Sequence, residues 1–143
     1  MMLHHNILDI KGLKVGQAQN TTAKTGVTVV LAEKGAICGV DVRGAAPGTR
    51  ETDLLDPVNA MERVHAVVLS GGSAYGLDAA SGVMEYLEQK NIGFDVGCAK
   101  VPIVPAAVLF DLANGSSAIR PDKKMGFAAC ENASDTILQE GNF

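Results

Sequence analysis

The stretch Ala66 to Glu88, AVVLSGGSAYGLDAASGVMEYLE, decides how the rest of the chain is read. Val67, Val68 and Leu69 form a short apolar run, Gly71 and Gly72 interrupt it, and helical spacing begins at Gly76. That order predicts a strand, a tight glycine turn and a helix. In the helix Leu77, Ala80, Val83, Met84 and Leu87 gather on one face with Asp78, Ser81, Glu85 and Gln89 opposite, so one side packs against a sheet. Ser70, Ser73 and Tyr75 then fall between the strand end and the helix N-terminus, where free backbone N–H groups favour an anion or a developing oxyanion. A turn whose glycines serve only close packing fits the same residues. A nucleophile elbow is excluded, because G-x-S-x-G centred on Ser73 needs glycine where Tyr75 stands and, centred on Ser70, lacks its first glycine. No Lys follows the glycines as a Walker loop requires.

Around this stretch lie 143 residues, 47% of them hydrophobic, which suits one domain with a real core. Nineteen Ala and sixteen Gly stand against two Tyr, four Phe and no Trp, so helices pack on a sheet through small side chains. The fold class is α/β. A net charge of -4, with Lys123-Lys124 the only adjacent basic pair, leaves no footprint for nucleic acid or an anionic membrane. The longest uncharged run, Val64 to Leu77, is fourteen residues and glycine-broken, too short to span a bilayer. The start, MMLHHNILD, lacks the pattern of a signal peptide, so a cytoplasmic protein is expected. Cys38, Cys98 and Cys130 are odd in number and outside any C-x-x-C spacing, which speaks against disulfides and zinc and for buried free thiols. His4, His5 and His65 are given no chemistry, and no metal or cofactor is expected.

Val15 to Asn20, Gly26 to Ala32 and, after the turn Glu33-Lys34-Gly35, Ala36 to Val42 read as three strands of an antiparallel meander. Arg43 to Asp56 has no single period and holds two glycines, a proline and five charges, so it is a loop that ends in a helical turn at Thr52 to Leu55. Such a loop is either a solvated connection tied by its own ion pairs or the lining of a site. Val58 to Val64 reads as a short helix. Pro102 and Pro105 make Lys100 to Asp111 an edge or bulged strand. Asn114-Gly115-Ser116-Ser117 is a turn, and turn formation alone accounts for Asn114. Pro121 opens a last helix whose face is Met125, Ala129, Ala133 and Ile137 and which runs almost to the end. Glu140 to Phe143 follows just after that helix, and three strands, one or two more and two principal helices are expected to make only an incomplete sandwich with exposed sheet edges, half of a larger fold.

Three segments, GAAPGTRETDLLDP (Gly44 to Pro57), VVLSGGSAYGLDAASG (Val67 to Gly82) and IVPAAVLFDL (Ile103 to Leu112), occur in this order in a known family. The sequence resembles the L-aminopeptidase D-esterase/amidase and β-peptidyl aminopeptidase family of self-processing, N-terminal-nucleophile hydrolases, over nearly its whole length. The resemblance implies a precursor that cuts its own backbone before a Ser or Thr, a few residues beyond an EGN-type sequence like Glu140 to Asn142. Residues 1–143 would then be the α subunit, one part of a four-layer αββα sandwich completed by a β chain that carries the nucleophile, with αβ units assembled into a homo-oligomer. In such chemistry the new α-amino group serves the hydroxyl as base, with an unperturbed pKa of about 7.7–8.0, so no His is required. By resemblance Tyr75 and Asn114 are the oxyanion donors, and Gly72, Ser73 and Asp111 belong to the site for a small peptide or amide substrate. One departure stands out: Ser73 occupies the position where characterised aminopeptidases carry a carboxylate for the substrate amine, leaving Asp78 or Asp111 as substitutes. A related acyltransferase, or a non-catalytic domain that binds a small molecule on the glycine turn, are the other classes open from sequence.

Overall fold

The computed structural model describes residues 6–139. Strand β1 (Lys14–Asn20) and strand β2 (Thr25–Ala36) form an antiparallel pair running from Lys14↔Leu31 to Asn20↔Thr25. The Asn20 side chain closes their connection by accepting the Ala23 N–H at 2.8 Å. There follow β3 (Thr49–Arg50), β4 (Val64–Ser70), helix α1 (Ala79–Gln89), β5 (Phe94–Asp95), β6 (Lys100–Val101), β7 (Ala106–Val108) and helix α2 (Lys123–Glu131). The main sheet has the order β1-β2-β4-β7-β3, with β4 and β7 parallel and the other neighbours antiparallel. β5 and β6 make a separate two-stranded ribbon.

Alternation along β2 and β4 sends Val27, Val29, Leu31, Ala66 and Val68 to one face, where they are buried with Ala79, Ala80, Val83 and Leu87 of α1 and Ala129 and Cys130 of α2. Full burial of a Val or Leu side chain is worth about 1.5–3 kcal/mol, so this layer carries the fold. The helices pack with their backbones almost touching. A Cβ on Gly82 would strike the Lys123 carbonyl oxygen, and one on Gly126 the Ala79 carbonyl oxygen. Residues of the opposite parity face away from the helices, and Leu69 there is 52% exposed. Among the described residues no helix is long and apolar enough to cross a membrane.

Several elements differ from the sequence reading, each for a local reason. Glu33-Lys34-Gly35 does not turn the chain. Gly35, at φ +79°, sits in a register shift between Leu31 and Ala36, so the residues form a bulge inside one long strand. Both edges of β2 are then taken by β1 and β4; Ala36 pairs with Val64 at the end of β2, and Ile37 to Val42 finds no edge to pair with. Residues 37–43 lie outside regular structure, with Ile37, Val40 and Val42 exposed. Val58 to Val64 is no helix, because the Asp56 carboxylate accepts the Val58 N–H at 3.1 Å and Asn59 Nδ2 donates to the Asp53 carbonyl at 2.6 Å, fixing turns instead. The helical turn before it is present at Asp53–Leu55.

β7 is not an edge strand but lies between β4 and the two-residue β3. The prolines are accommodated because this segment pairs through carbonyls: Ile103 O accepts from His65 N–H at 2.9 Å and Pro105 O from Val68 N–H at 3.0 Å. At the last helix Asp122 is the cap, its side chain accepting the Met125 N–H at 2.9 Å, and Pro121 precedes it. The helix stops at Glu131, and Ser134 instead pairs with Val15, its N–H and carbonyl bonding at 3.0 and 2.9 Å and covering part of the β1 edge. Of the cysteines only Cys130 is buried, and burial pushes its thiol up to about 12; Cys38 is intermediate and Cys98 exposed. His4, His5 and Glu140 to Asn142 lie outside the described residues.

Candidate functional site

The glycine turn leaves the end of β4 through Gly71 and Gly72 and enters a 3-10 turn, Ser73–Asp78, ahead of α1. Gly72 (φ +83°) and Ser73 (φ +54°) both adopt left-handed backbone, a costly conformation for serine and a sign that the surroundings fix this corner. Those surroundings are visible as hydrogen bonds. Gly71 N–H donates to Gly26 O at 2.9 Å, Gly72 N–H to Asp111 Oδ1 at 2.7 Å, and Ser73 N–H to Leu109 O at 3.0 Å. Asp111 is buried, and its other oxygen, Oδ2, accepts from the Thr25 hydroxyl at 2.6 Å.

Asp111 therefore satisfies one N–H of this turn with a carboxylate. Three successive N–H groups of the corner are committed to protein acceptors, one of them a carboxylate. Asp111 also accepts the Asn114 N–H on its backbone carbonyl at 2.9 Å, so a single residue ties the turn that leads to Tyr75 to the turn that carries Asn114. Asn114 is exposed, and Tyr75 is 60% exposed with its ring under the Arg120 guanidinium, whose central carbon lies 3.8 Å from the ring centroid. Asp78 is placed differently: its carboxylate accepts the Lys123 N–H at 3.0 Å and helps to cap α2.

The loop after β2 lines a concavity away from this corner. A cleft of about 390 Å³ lies between residues 38–49 and the outward side of β4 and β7, lined among others by Arg43, Thr49, Val67 and Ala107. Arg43 pairs with Asp41 at 2.7 Å in the open. Arg50 takes no carboxylate of its own loop and donates to Ser81 Oγ and Met84 Sδ, both at 3.0 Å, fastening the loop to α1. The loop thus lines a cleft, and its own ion pairing does not extend to Arg50.

The profile of peptidase family S58 matches residues 5–143. The chain belongs to that family. It is 48% identical over 142 residues to an uncharacterized aminopeptidase of Mycobacterium leprae, and 47% identical over 137 residues to one of Mycobacterium tuberculosis. It is also 36% identical over 125 residues to a 6-aminohexanoate-oligomer endohydrolase of Kocuria. These matches cover 94%, 90% and 87% of the chain, but only 39%, 40% and 33% of the respective relatives, so it spans well under half their length.

Two groups at this S58 corner were not legible beforehand. Thr25 sits 86 positions from Asp111 in sequence, and nothing in a strand-start threonine announces a carboxylate partner. Arg120 precedes Pro121 in what reads as a helix entry, and only the folded chain lays it on Tyr75. Among the described residues no group of His, Cys, Asp and Glu is arranged to hold a metal ion.

Proposed function

We propose that this chain is the α part of a self-processed amide hydrolase whose Ser or Thr nucleophile begins a β chain cut from the same precursor. Tyr75 and Asn114 donate hydrogen bonds to the oxyanion, and Gly72, Ser73 and Asp111 shape the substrate corner. The nucleophile's hydroxyl proton passes to the α-amino group of the same residue as oxygen attacks the amide carbon. Charge builds on the carbonyl oxygen, where preorganised neutral donors lower the barrier most. Collapse expels the amine, which takes that proton, and water then hydrolyses the ester by the same route. Membership of S58 and the printed names of the relatives, aminopeptidase and 6-aminohexanoate-oligomer endohydrolase, support amide hydrolysis of a small peptide or amide.

The observation that carries the reading is the tie through Asp111, which holds the turns of Tyr75 and Asn114 together while leaving both side chains in the open. A sheet face that no helix covers among the described residues, with Leu69 exposed on it, supports a second sheet packed there by the β chain, giving the αββα sandwich and an assembly of αβ units. An acyltransferase would use the same intermediate with an amine in place of water. The non-catalytic binding domain is disfavoured, because the N–H groups of Gly71, Gly72 and Ser73 are already taken by acceptors of the chain itself. Denaturing mass spectrometry of the protein made from its full gene tests this: two chains are expected, the second beginning with Ser or Thr, together with hydrolysis in a panel of small amides. An uncut protein without activity on the panel would refute it.

A further inference from the structure

Charge at the mouth of this corner is distributed unevenly. Of the two carboxylates on these segments, Asp111 is buried with both oxygens bonded, and the exposed Asp78 accepts the first N–H of α2 on one oxygen. Beside Tyr75 stands a cation. Arg120 lies over the Tyr75 ring at 3.8 Å, and among the described residues no carboxylate pairs with it. Gly72 also packs against this segment, since a Cβ there would lie 3.4 Å from Arg120 Cβ and 2.9 Å from Pro121 Cδ.

A guanidinium resting on an aromatic ring uses its face for the contact and keeps its N–H groups, which point outward in its plane, free for a two-oxygen acceptor. The ring also limits the side chain's rotamers, so less freedom is lost when an anion arrives. Ser73, on the approach to the ring, adds no charge. A substrate ammonium brought to Arg120 would therefore meet an unpaired cation, whereas a carboxylate would meet a fork shaped for it.

We propose that Arg120 is a carboxylate-recognition residue, and that the preferred substrates are small amides bearing a free carboxylate near the scissile bond rather than a required free amine. The proposal rests on the hydrolase reading above, with Tyr75 at the reacting carbonyl. Tyr75 fixes the cation, the cation fixes one end of the substrate, and the amide carbonyl is brought to the donor beneath.

The test uses the processed protein from the full gene and matched substrate pairs, one member with a free terminal carboxylate and the other with that terminus blocked as a carboxamide. The carboxylate member should be favoured by about tenfold or more in kcat/KM, with most of the difference in KM and a decline as salt is raised. Arg120→Gln should remove the preference through KM, and Arg120→Lys should keep part of it. Correct precursor cleavage and an unchanged unfolding midpoint report whether each variant has folded. Equal turnover of the pair, or a preference untouched in both variants, overturns the proposal while leaving the hydrolase reading intact. A loss of kcat on both members alike in Arg120→Gln also overturns it, since Arg120 would then act through Tyr75. Absence of turnover on either member, with no precursor cleavage, would sink the hydrolase reading and this proposal with it.

Discussion

Replacing Asp111 by Ala removes the acceptor for the Gly72 N–H at 2.7 Å and for the Thr25 hydroxyl at 2.6 Å. Hydrogen bonds to a charged partner contribute about 1.5–3 kcal/mol each, and donors left unpaired beside a buried position add desolvation cost, so the two together amount to about 3–6 kcal/mol. That is a large share of the stability of an ordinary domain. Asp111→Asn keeps the shape, with its amide oxygen able to accept from Gly72 and its NH₂ able to donate to Thr25 Oγ1, and should cost about 1–2 kcal/mol. Urea unfolding followed by far-UV circular dichroism measures both, because the chain has no Trp to report by fluorescence. The midpoint should fall with little change in slope. A double-mutant cycle with Thr25→Val isolates the Thr25–Asp111 pair, whose coupling is expected near 1.5–3 kcal/mol. An Asp111→Ala variant within 1 kcal/mol of the parent, or additive effects of Thr25→Val and Asp111→Ala, would refute the claim that this carboxylate clamps the corner.

Tyr75→Phe and Asn114→Ala should each fold and leave KM nearly unchanged while lowering kcat by about 10²- to 10³-fold, as loss of one oxyanion donor does; mature mutants that keep kcat within about threefold would return both residues to a structural role. Gly126→Ala, which drives a methyl group into the Ala79 carbonyl oxygen, should destabilise by about 1–3 kcal/mol despite the better helix propensity of Ala, and an increase in thermal midpoint would contradict the packing described. Burial lowers the pKa of His65 below 6.5, and its Nδ1 accepts the Ile103 N–H at 3.1 Å, a bond that the protonated ring cannot accept. The unfolded chain therefore takes up this proton first as pH falls, so the contribution of His65 is intact above pH 6.5 and is lost as pH drops below that value; unfolding midpoints of the parent and His65→Gln that run parallel from pH 7.5 to 5 would exclude it.

The order of strand, turn and helix over Ala66 to Glu88 follows from local features that a linear sequence displays. An apolar run, paired glycines and a 3.6-residue period each act within a few residues, and the structure has β4 and the turn where they predict, with α1 starting at Ala79 rather than Gly76 because Ser73–Asp78 first makes a 3-10 turn. The helix face is likewise legible, with Ala80, Val83 and Leu87 fully buried. What the linear reading missed depends on which edges and partners were already taken. GVTVVLAEKGAICGVDV has the look of a hairpin, yet the positive φ of Gly35 is spent on a bulge because β1 and β4 flank β2 on both sides. Pro102 and Pro105 suggested an edge, yet carbonyl pairing admits the segment to the interior of the sheet. At the corner, chain order shows Gly72, Ser73 and Tyr75 close together, but tertiary structure alone carries Asp111 to Gly72 and Thr25 and lays Arg120 on Tyr75. Local periodicity records what a residue does to its neighbours in the chain, whereas hydrogen bonds and stacked charges form between residues that only the fold makes neighbours.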